Sequence, residues 1–346
     1  MADTSLLYGS AGLALVLGLA ALALSARLLL EPARRLSRGW RLALVAAALA
    51  GLALRLAAPH APLNQVEHQR IGWADPEARS GAAGSSAGAT AFHALLFEAV
   101  PGVPRARPVF WAMTALGALT VPLLALLALW LLRGPEAPGA ALLAATLLAV
   151  HPAHVRFSAS SSSAALVVFS IVAALLCLAA YARSGRAQLL VAGALLTCFA
   201  SVTHGEARMV AIPALLLLAA SWRRLRALPW AALPALAGAG VAVLPILAEL
   251  TTPGDLEAGG ALAPLSDRLS HQALEVSSAW WGPEATEPRV LLLGAAAGGA
   301  LALLRPSRPV AILAALWAGA IFLGFAVGGQ IENNCVFRQT RYGLGG

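Results

Sequence analysis

The feature that most restricts the fold of this chain is a series of apolar segments, each close to the length that crosses a lipid bilayer. About 20 consecutive apolar residues span the hydrocarbon core. Ten segments approach this length, at residues 6–30, 41–58, 108–132, 138–152, 163–182, 188–203, 208–222, 229–250, 289–304 and 309–328. Since unpaired backbone polar groups are costly in lipid, these segments must be helical. The sequence therefore predicts an all-α, polytopic integral membrane protein with about ten transmembrane helices, built as one membrane domain over residues 1–346.

Composition agrees with a membrane environment and argues against several other classes. The 346 residues are 59% hydrophobic and 12% charged, which is unlike a water-soluble domain. The three cysteines, Cys177, Cys198 and Cys335, are far apart and indicate neither a disulfide framework nor a zinc knuckle. The net charge of +8 comes from arginines distributed over the loops, not from a basic patch with interleaved aromatic residues. A nucleic-acid partner is therefore not expected.

The arginines in the short loops predict the orientation. Cytoplasmic loops carry an excess of basic residues. With ten spans, one side receives all the arginine-rich connections, at residues 34–41, 183–186, 223–226 and 305–308. If that side is cytoplasmic and contacts anionic membrane lipids, the outward-facing segments are 59–107, 151–162, 204–208, 251–288 and 329–346. The expected location is the inner (plasma) membrane, with the active face periplasmic or extracellular.

The outward-facing segments contain most of the polar side chains, so function is expected on this side. Two of these segments also have apolar residues at helical spacing. They are residues 89–100, reading "ATAFHALLFEAV", and residues 265–281, reading "LSDRLSHQALEVSSAWW". Such amphipathic helices lie along the membrane interface. Both are predicted to be interfacial, and the second is a candidate lid over a site.

The order of these segments resembles a known family. An early span is followed by a long outer loop that contains "FHALLFEAVPG", then by a span beginning "RPVFWAMTALGAL", then by "HPAHVRFSASSSSAAL" and "LLVAGALLTCFASVTHGEARMVAIPALLLL". This succession resembles the GT-C membrane glycosyltransferases. It is most similar to the bacterial group related to protein O-mannosyltransferases and to enzymes that glycosylate lipid A and lipopolysaccharide core. The resemblance covers residues 41–222 approximately, and "HPAHVRFS" is its most distinctive part.

The resemblance implies a reaction and its partners. A sugar on a polyprenyl-phosphate donor is transferred, with inversion, to a hydroxyl of a lipid, glycan or protein acceptor. A carboxylate must take the acceptor proton, and cationic side chains must hold the departing phosphate. The residues require no cofactor, although some members of the class use a divalent cation. The histidines have no spacing that predicts a metal site.

The resemblance places the catalytic base at the start of the first outer loop. Relatives have Asp followed by Glu there, and this chain has Val66 followed by Glu67 and His68. Glu67 is the first candidate for the base, with His68 beside it in the substrate site. Asp75 is the second candidate, and a third interpretation is that both carboxylates are ordinary solvated loop residues in a noncatalytic relative.

Three further segments supply candidates for substrate binding. In "HPAHVRFS" they are His154 and Arg156, with the alternative that Arg156 is a snorkelling anchor. The serines around residues 158–163 are interpreted as helix caps, and relatives often have Arg and Glu where this chain has Ala159 and Ala164. The other candidates lie in "THGEAR" and in the tail, and they are Glu206, Arg208, Arg341 and Tyr342. Glu206 and Arg208 have the alternative of a structural ion pair across a turn.

Two other functional classes remain open from the sequence. A noncatalytic protein that binds or scaffolds polyprenyl-linked glycans fits Val66 and the altered serine loop. A transporter fits less well, because transporters carry charged residues near mid-span, whereas Arg55 and Glu249 lie close to predicted span ends. Relatives continue past the Arg341–Tyr342 pair into further spans, so a short form or a fragment is expected.

Overall fold

A computed structural model describes residues 4–59, 87–103, 106–203, 207 and 210–228. These residues form twelve helices and no strand, which confirms the all-α class for the described part of the chain. The helices are α1 (Thr4–Leu24), α2 (Ala26–Leu29), α3 (Glu31–Arg34), α4 (Arg38–Ala57), α5 (Ala87–Ala99), α6 (Ala106–Leu131), α7 (Ala137–Val150), α8 (Pro152–Ser158), α9 (Ala164–Ser184), α10 (Ala187–Thr203), α11 (Ala211–Ala220) and α12 (Trp222–Arg226).

Three of these helices are long and apolar enough to cross a membrane. They are α4, α6 from Arg107 onward, and α9, while α7, α10, α11 and the Tyr8–Leu24 part of α1 are shorter apolar helices. Such helices are those of a membrane protein. The predicted spans at 229–250, 289–304 and 309–328 lie outside the described residues.

Helix α9 is the centre of the described bundle and packs on α6, α10 and α11. It is apolar on every side, and 78% of its span is buried, as expected of a helix that has neighbours all round. Gly193 of α10 allows close packing, because a Cβ there would lie 2.7 Å from Leu178 of α9. Helix α9 ends at Ser184, and the next residue, Gly185, has a φ of 70°, the left-handed conformation that glycine adopts readily at a helix end.

Helix α4 lies at the edge of the bundle, since only 11% of its span is buried. Leu42, Val45 and Leu49 are exposed and are suited to contact lipid. Gly51 and Arg55 are its buried residues, and they share one face because they are four positions apart. This narrow face packs on α6 and α7.

Three details differ from the sequence-based prediction. The first apolar segment does not run unbroken to residue 30, since α1 ends at Leu24 and short helices follow a turn at Ser25. The outer segment 151–162 contains a helix, α8. The predicted interfacial helix at 89–100 is a helix, but its first half is buried all round, including His93, because it packs against α1 and α10.

The chain divides into two compact units. The first consists of Met1–Val150 and His154–Pro253, and the second of His151–Ala153 and Gly254–Gly346. From His154 onward, α8 belongs to the first unit. Of the second unit, the structure describes residues 151–153.

Candidate functional site

The most unusual feature of the described bundle is a fully buried arginine. Arg55 has no exposed surface, and its guanidinium group reaches the carboxyl end of α7. Nη1 donates hydrogen bonds to the carbonyl oxygens of Gly51, at 2.6 Å, and Ala149, at 3.2 Å, while Nη2 donates to that of Leu148, at 3.2 Å. The last carbonyls of a helix have no partner within the helix and carry partial negative charge. Arg55 therefore caps α7 from the neighbouring helix.

The same guanidinium group holds α8. Its Nη2 donates to Nδ1 of His154, and its Nε donates to Oγ of Ser158 at 3.3 Å. Ser158 Oγ in turn donates to the carbonyl of His154, at 2.6 Å, and Thr114 Oγ1 of α6 donates to the carbonyl of Ser158, at 3.1 Å. We call Arg55, His154, Ser158 and Thr114 the Arg55 cluster. It joins α4, α6, α7 and α8 through buried polar groups.

The hydrogen bonds of the Arg55 cluster define its charge state. Because arginine only donates, Nδ1 of His154 must accept, so a neutral His154 carries its proton on Nε2. Each acceptor that the described residues provide to Arg55 is neutral: three carbonyl oxygens, one hydroxyl oxygen and one imidazole nitrogen. A buried cation held by neutral acceptors leaves a positive potential at this end of the bundle.

The close approach of α8 to α6 depends on Gly117. A Cβ at this position would meet Oγ of Ser158 and lie 2.5 Å from its Cβ. We expect Gly117→Ala to lower the free energy of unfolding by about 1–3 kcal/mol through overpacking, as measured by SDS titration in detergent micelles. Adding Ser158→Gly should recover part of this loss. Gly9→Ala is the control, because nothing lies within 4 Å of the added Cβ, and an equal loss there would contradict the explanation.

Arg156 lies on α8 but does not belong to the Arg55 cluster. Residues two apart on a helix point in different directions, so Arg156 is on a different face from His154 and Ser158. Its side chain is half-buried, and none of the described residues forms a hydrogen bond or ion pair with it. Arg156 is thus a cation that faces away from the Arg55 cluster.

The serines at 158–163 form local hydrogen bonds, as expected of helix-capping residues. The bond to the start of α9 comes from Ser162, however, and not from Ser163, which directly precedes the helix. Ser162 Oγ accepts from the backbone N–H of Ala164 at 3.2 Å, while Ser163 makes no side-chain cap bond. Ser160 Oγ donates to the carbonyl of Phe157 and accepts from the N–H of Ser162. The run is buried and fixes the turn between α8 and α9.

A separate cleft of about 440 Å³ lies between α1 and α5. Gly12, Val16 and Leu95 contribute to its apolar wall, and Glu98 is an exposed carboxylate in its lining. Thr90 also lines the cleft, and its hydroxyl is buried with no hydrogen-bond partner among the described residues. Sequence reasoning did not identify this cleft, because it arises from the packing of α5 into the bundle.

Most of the candidate site residues lie outside the described part of the chain. They are Glu67, His68, Asp75, Glu206, Arg208, Arg341 and Tyr342, and they remain predictions. Among the described candidates, the structure brings His154 together with Arg55, while Arg156 points elsewhere. Sequence reasoning missed the role of Arg55, although a charged residue in an apolar segment is a signal that could have identified it.

Comparison with protein-family models, with curated proteins and with solved structures found no match to this chain.

Proposed function

We propose that the protein is a membrane glycosyltransferase that moves a sugar from a polyprenyl-phosphate donor to a hydroxyl acceptor, with inversion. The proposal includes about ten spans, insertion in the inner (plasma) membrane and an active face on the periplasmic or extracellular side. Glu67 or Asp75 serves as the general base. Arg156 binds the donor phosphate, together with Arg208 and Arg341.

The observation that supports this proposal is that Arg156 lies on a short helix that buried hydrogen bonds hold in place. The helix that carries it, α8, has seven residues, too few to be stable alone. The buried Arg55 cluster fixes this helix against α4, α6 and α7 through His154 and Ser158. Arg156 is then held in place on another face, with no carboxylate partner among the described residues. An unpaired arginine on a fixed helix, at the end of apolar helices, is suited to bind a phosphate on a lipid.

The electrostatics of the segment favour an anionic ligand. Arg55 and Arg156 are both cationic, and no carboxylate among the described residues pairs with either of them. A phosphate leaving group develops negative charge as the glycosidic bond breaks, and preorganised donors stabilise that charge without reorganisation. The segment that contains this arrangement, "HPAHVRFS", is also the one that most resembles the family.

The test is sugar transfer from a panel of radiolabelled polyprenyl-phosphate sugars in membranes that contain the full chain. We expect Arg156→Ala to lower transfer about tenfold to a hundredfold, the equivalent of losing one hydrogen bond to a charged group. Arg156→Lys keeps the charge but not the planar fork and should give an intermediate rate. The control is Arg133→Ala, which removes an exposed arginine on the predicted cytoplasmic side.

Two results would contradict the proposal. If the unaltered chain transfers sugar from no donor in the panel but still binds one of them, the protein is a noncatalytic glycan-binding relative. If Arg156→Ala and Arg133→Ala transfer at the same rate as the unaltered chain, Arg156 is a membrane anchor and not a phosphate ligand.

A further inference from the structure

A second apolar groove lies beside the arginine-rich segment 34–41. This segment is on the predicted cytoplasmic side of the membrane, whereas α8 is on the predicted outer side. It has a volume of about 290 Å³ and runs between α4 and α6. Leu44, Val45 and Ala48 line one side, and Ala125 and Leu126 line the other. Its lining is almost entirely apolar and includes the side chains of two arginines.

The two arginines are Arg34, in the last turn of α3, and Arg41, in the first turn of α4. Both side chains are exposed, and neither forms an ion pair with a described residue. Their neighbour Arg35 differs, because it pairs with Glu31 and does not line the groove. Two unpaired cations therefore lie beside an apolar channel.

The position of the groove is that of a membrane interface. Trp40, which is 38% exposed, directly precedes Arg41 in the first turn of α4, and tryptophan is enriched at the level of the lipid headgroups. Leu42, Val45 and Leu49 follow and are exposed along α4. The arginines are thus at headgroup depth and the groove at acyl-chain depth.

The general excess of arginine in cytoplasmic loops does not account for this arrangement. That bias requires positive charge anywhere in the segment, and Arg38 satisfies it without lining the groove. It also places no constraint on apolar residues of α6 such as Ala125 and Leu126. In addition, a cation in the first turn of a helix is unfavourable for the helix dipole, so Arg41 gains from a nearby anion.

We propose that this groove is a binding site for one anionic phospholipid of the surrounding membrane. The phosphate lies between Arg34 and Arg41, and one acyl chain lies in the groove between α4 and α6. Charge complementarity selects the anionic headgroup, while the apolar walls select a molecule that has a chain. This site is independent of the glycosyltransferase proposal.

The experiment is native mass spectrometry of the full chain in detergent, titrated with dioleoyl phosphatidylglycerol or with dioleoyl phosphatidylcholine. We expect one phosphatidylglycerol to bind at least tenfold more tightly than phosphatidylcholine. The double variant Arg34→Gln/Arg41→Gln should weaken phosphatidylglycerol binding about thirtyfold, since each arginine near a membrane surface contributes about 1 kcal/mol. The matched control, Arg35→Gln/Arg38→Gln, removes the same charge from the same segment and should bind within about twofold of the unaltered chain.

A second pair of variants tests the acyl-chain part of the site. Ala48→Phe fills the groove without changing the charge and should weaken phosphatidylglycerol binding. Val45→Ser makes the groove polar at an exposed position, where the fold tolerates the change, and should weaken it as well. Equal losses in the two arginine double variants would overturn the proposal in favour of diffuse charge attraction. Displacement of the lipid by millimolar inorganic phosphate at constant ionic strength, or unchanged binding in both groove variants, would overturn it in favour of a free phosphate site.

Discussion

Replacing Arg55 with methionine is expected to lower the free energy of unfolding by about 3–5 kcal/mol, because it leaves several buried acceptors without a donor, at about 1–3 kcal/mol each. The acceptors left behind include the carbonyls of Leu148 and Ala149 and the hydroxyl of Ser158. Methionine fills part of the volume but donates no hydrogen bond. Because these acceptors are buried, water does not replace the lost donors without opening the bundle.

The measurement is an SDS titration of the purified chain in detergent micelles, followed by circular dichroism. Arg133→Met is the matched control, since it makes the same chemical change at an exposed arginine and should cost less than about 0.5 kcal/mol. Arg55→Lys should be destabilised less than Arg55→Met, because an ammonium group replaces some of the donors but not the planar fork. An Arg55→Met protein as stable as the control would show that the buried hydrogen bonds contribute nothing.

The loss of Arg55 should also release α8. With neither Arg55 bond to His154 and Ser158, this seven-residue helix is still linked to α6 by the Thr114 bond. Hydrogen exchange at the amides of residues 154–158 should then speed up more than exchange in α9, which is held by its own packing. If Arg156 binds a phosphate, the Arg55→Met protein should bind the donor more weakly, because α8 no longer holds Arg156 in position.

The positions of the helices could be predicted well from hydropathy, and their packing could not. The predicted spans 41–58, 108–132 and 163–182 agree with α4, α6 and α9 to within one helical turn, because length and apolar character alone define such segments. The same reasoning merged α1 with α2, since the turn at Ser25 leaves the run of apolar residues nearly uninterrupted. A window over hydropathy does not detect a single polar break.

The sequence pattern could not predict which polar residues are buried, because their burial depends on how the helices pack. Arg55 is near the end of α4, where an arginine ordinarily extends to the interface. It is buried instead because Gly51, one turn earlier, and Gly117 on α6 leave room for the guanidinium group and for Ser158. His93 is likewise buried, because Gly88 lets α5 approach Thr203 of α10 closely. These outcomes depend on residues that are distant in the sequence.

Glu67→Gln should lower sugar transfer by about a hundredfold to ten-thousandfold, the range for loss of a general base. Glutamine keeps the shape of the side chain but does not accept a proton at neutral pH. Donor binding should be unchanged, because the proposed phosphate ligands are arginines. The measurement is transfer from the active donor of the polyprenyl-phosphate panel, with donor affinity determined separately by displacement of the radiolabelled lipid.

Asp75→Asn is the matched variant, because it makes the same change at the second candidate. Transfer that is lost in Glu67→Gln and kept in Asp75→Asn assigns the base to Glu67, and the reverse assigns it to Asp75. If neither variant changes transfer, both carboxylates are solvated loop residues and the base is a different group. The comparison is informative because Val66 stands where the proposed family has Asp. A transfer reaction that proceeds despite Val66 requires another proton acceptor near the acceptor hydroxyl, and these two variants test whether Glu67 or Asp75 supplies it.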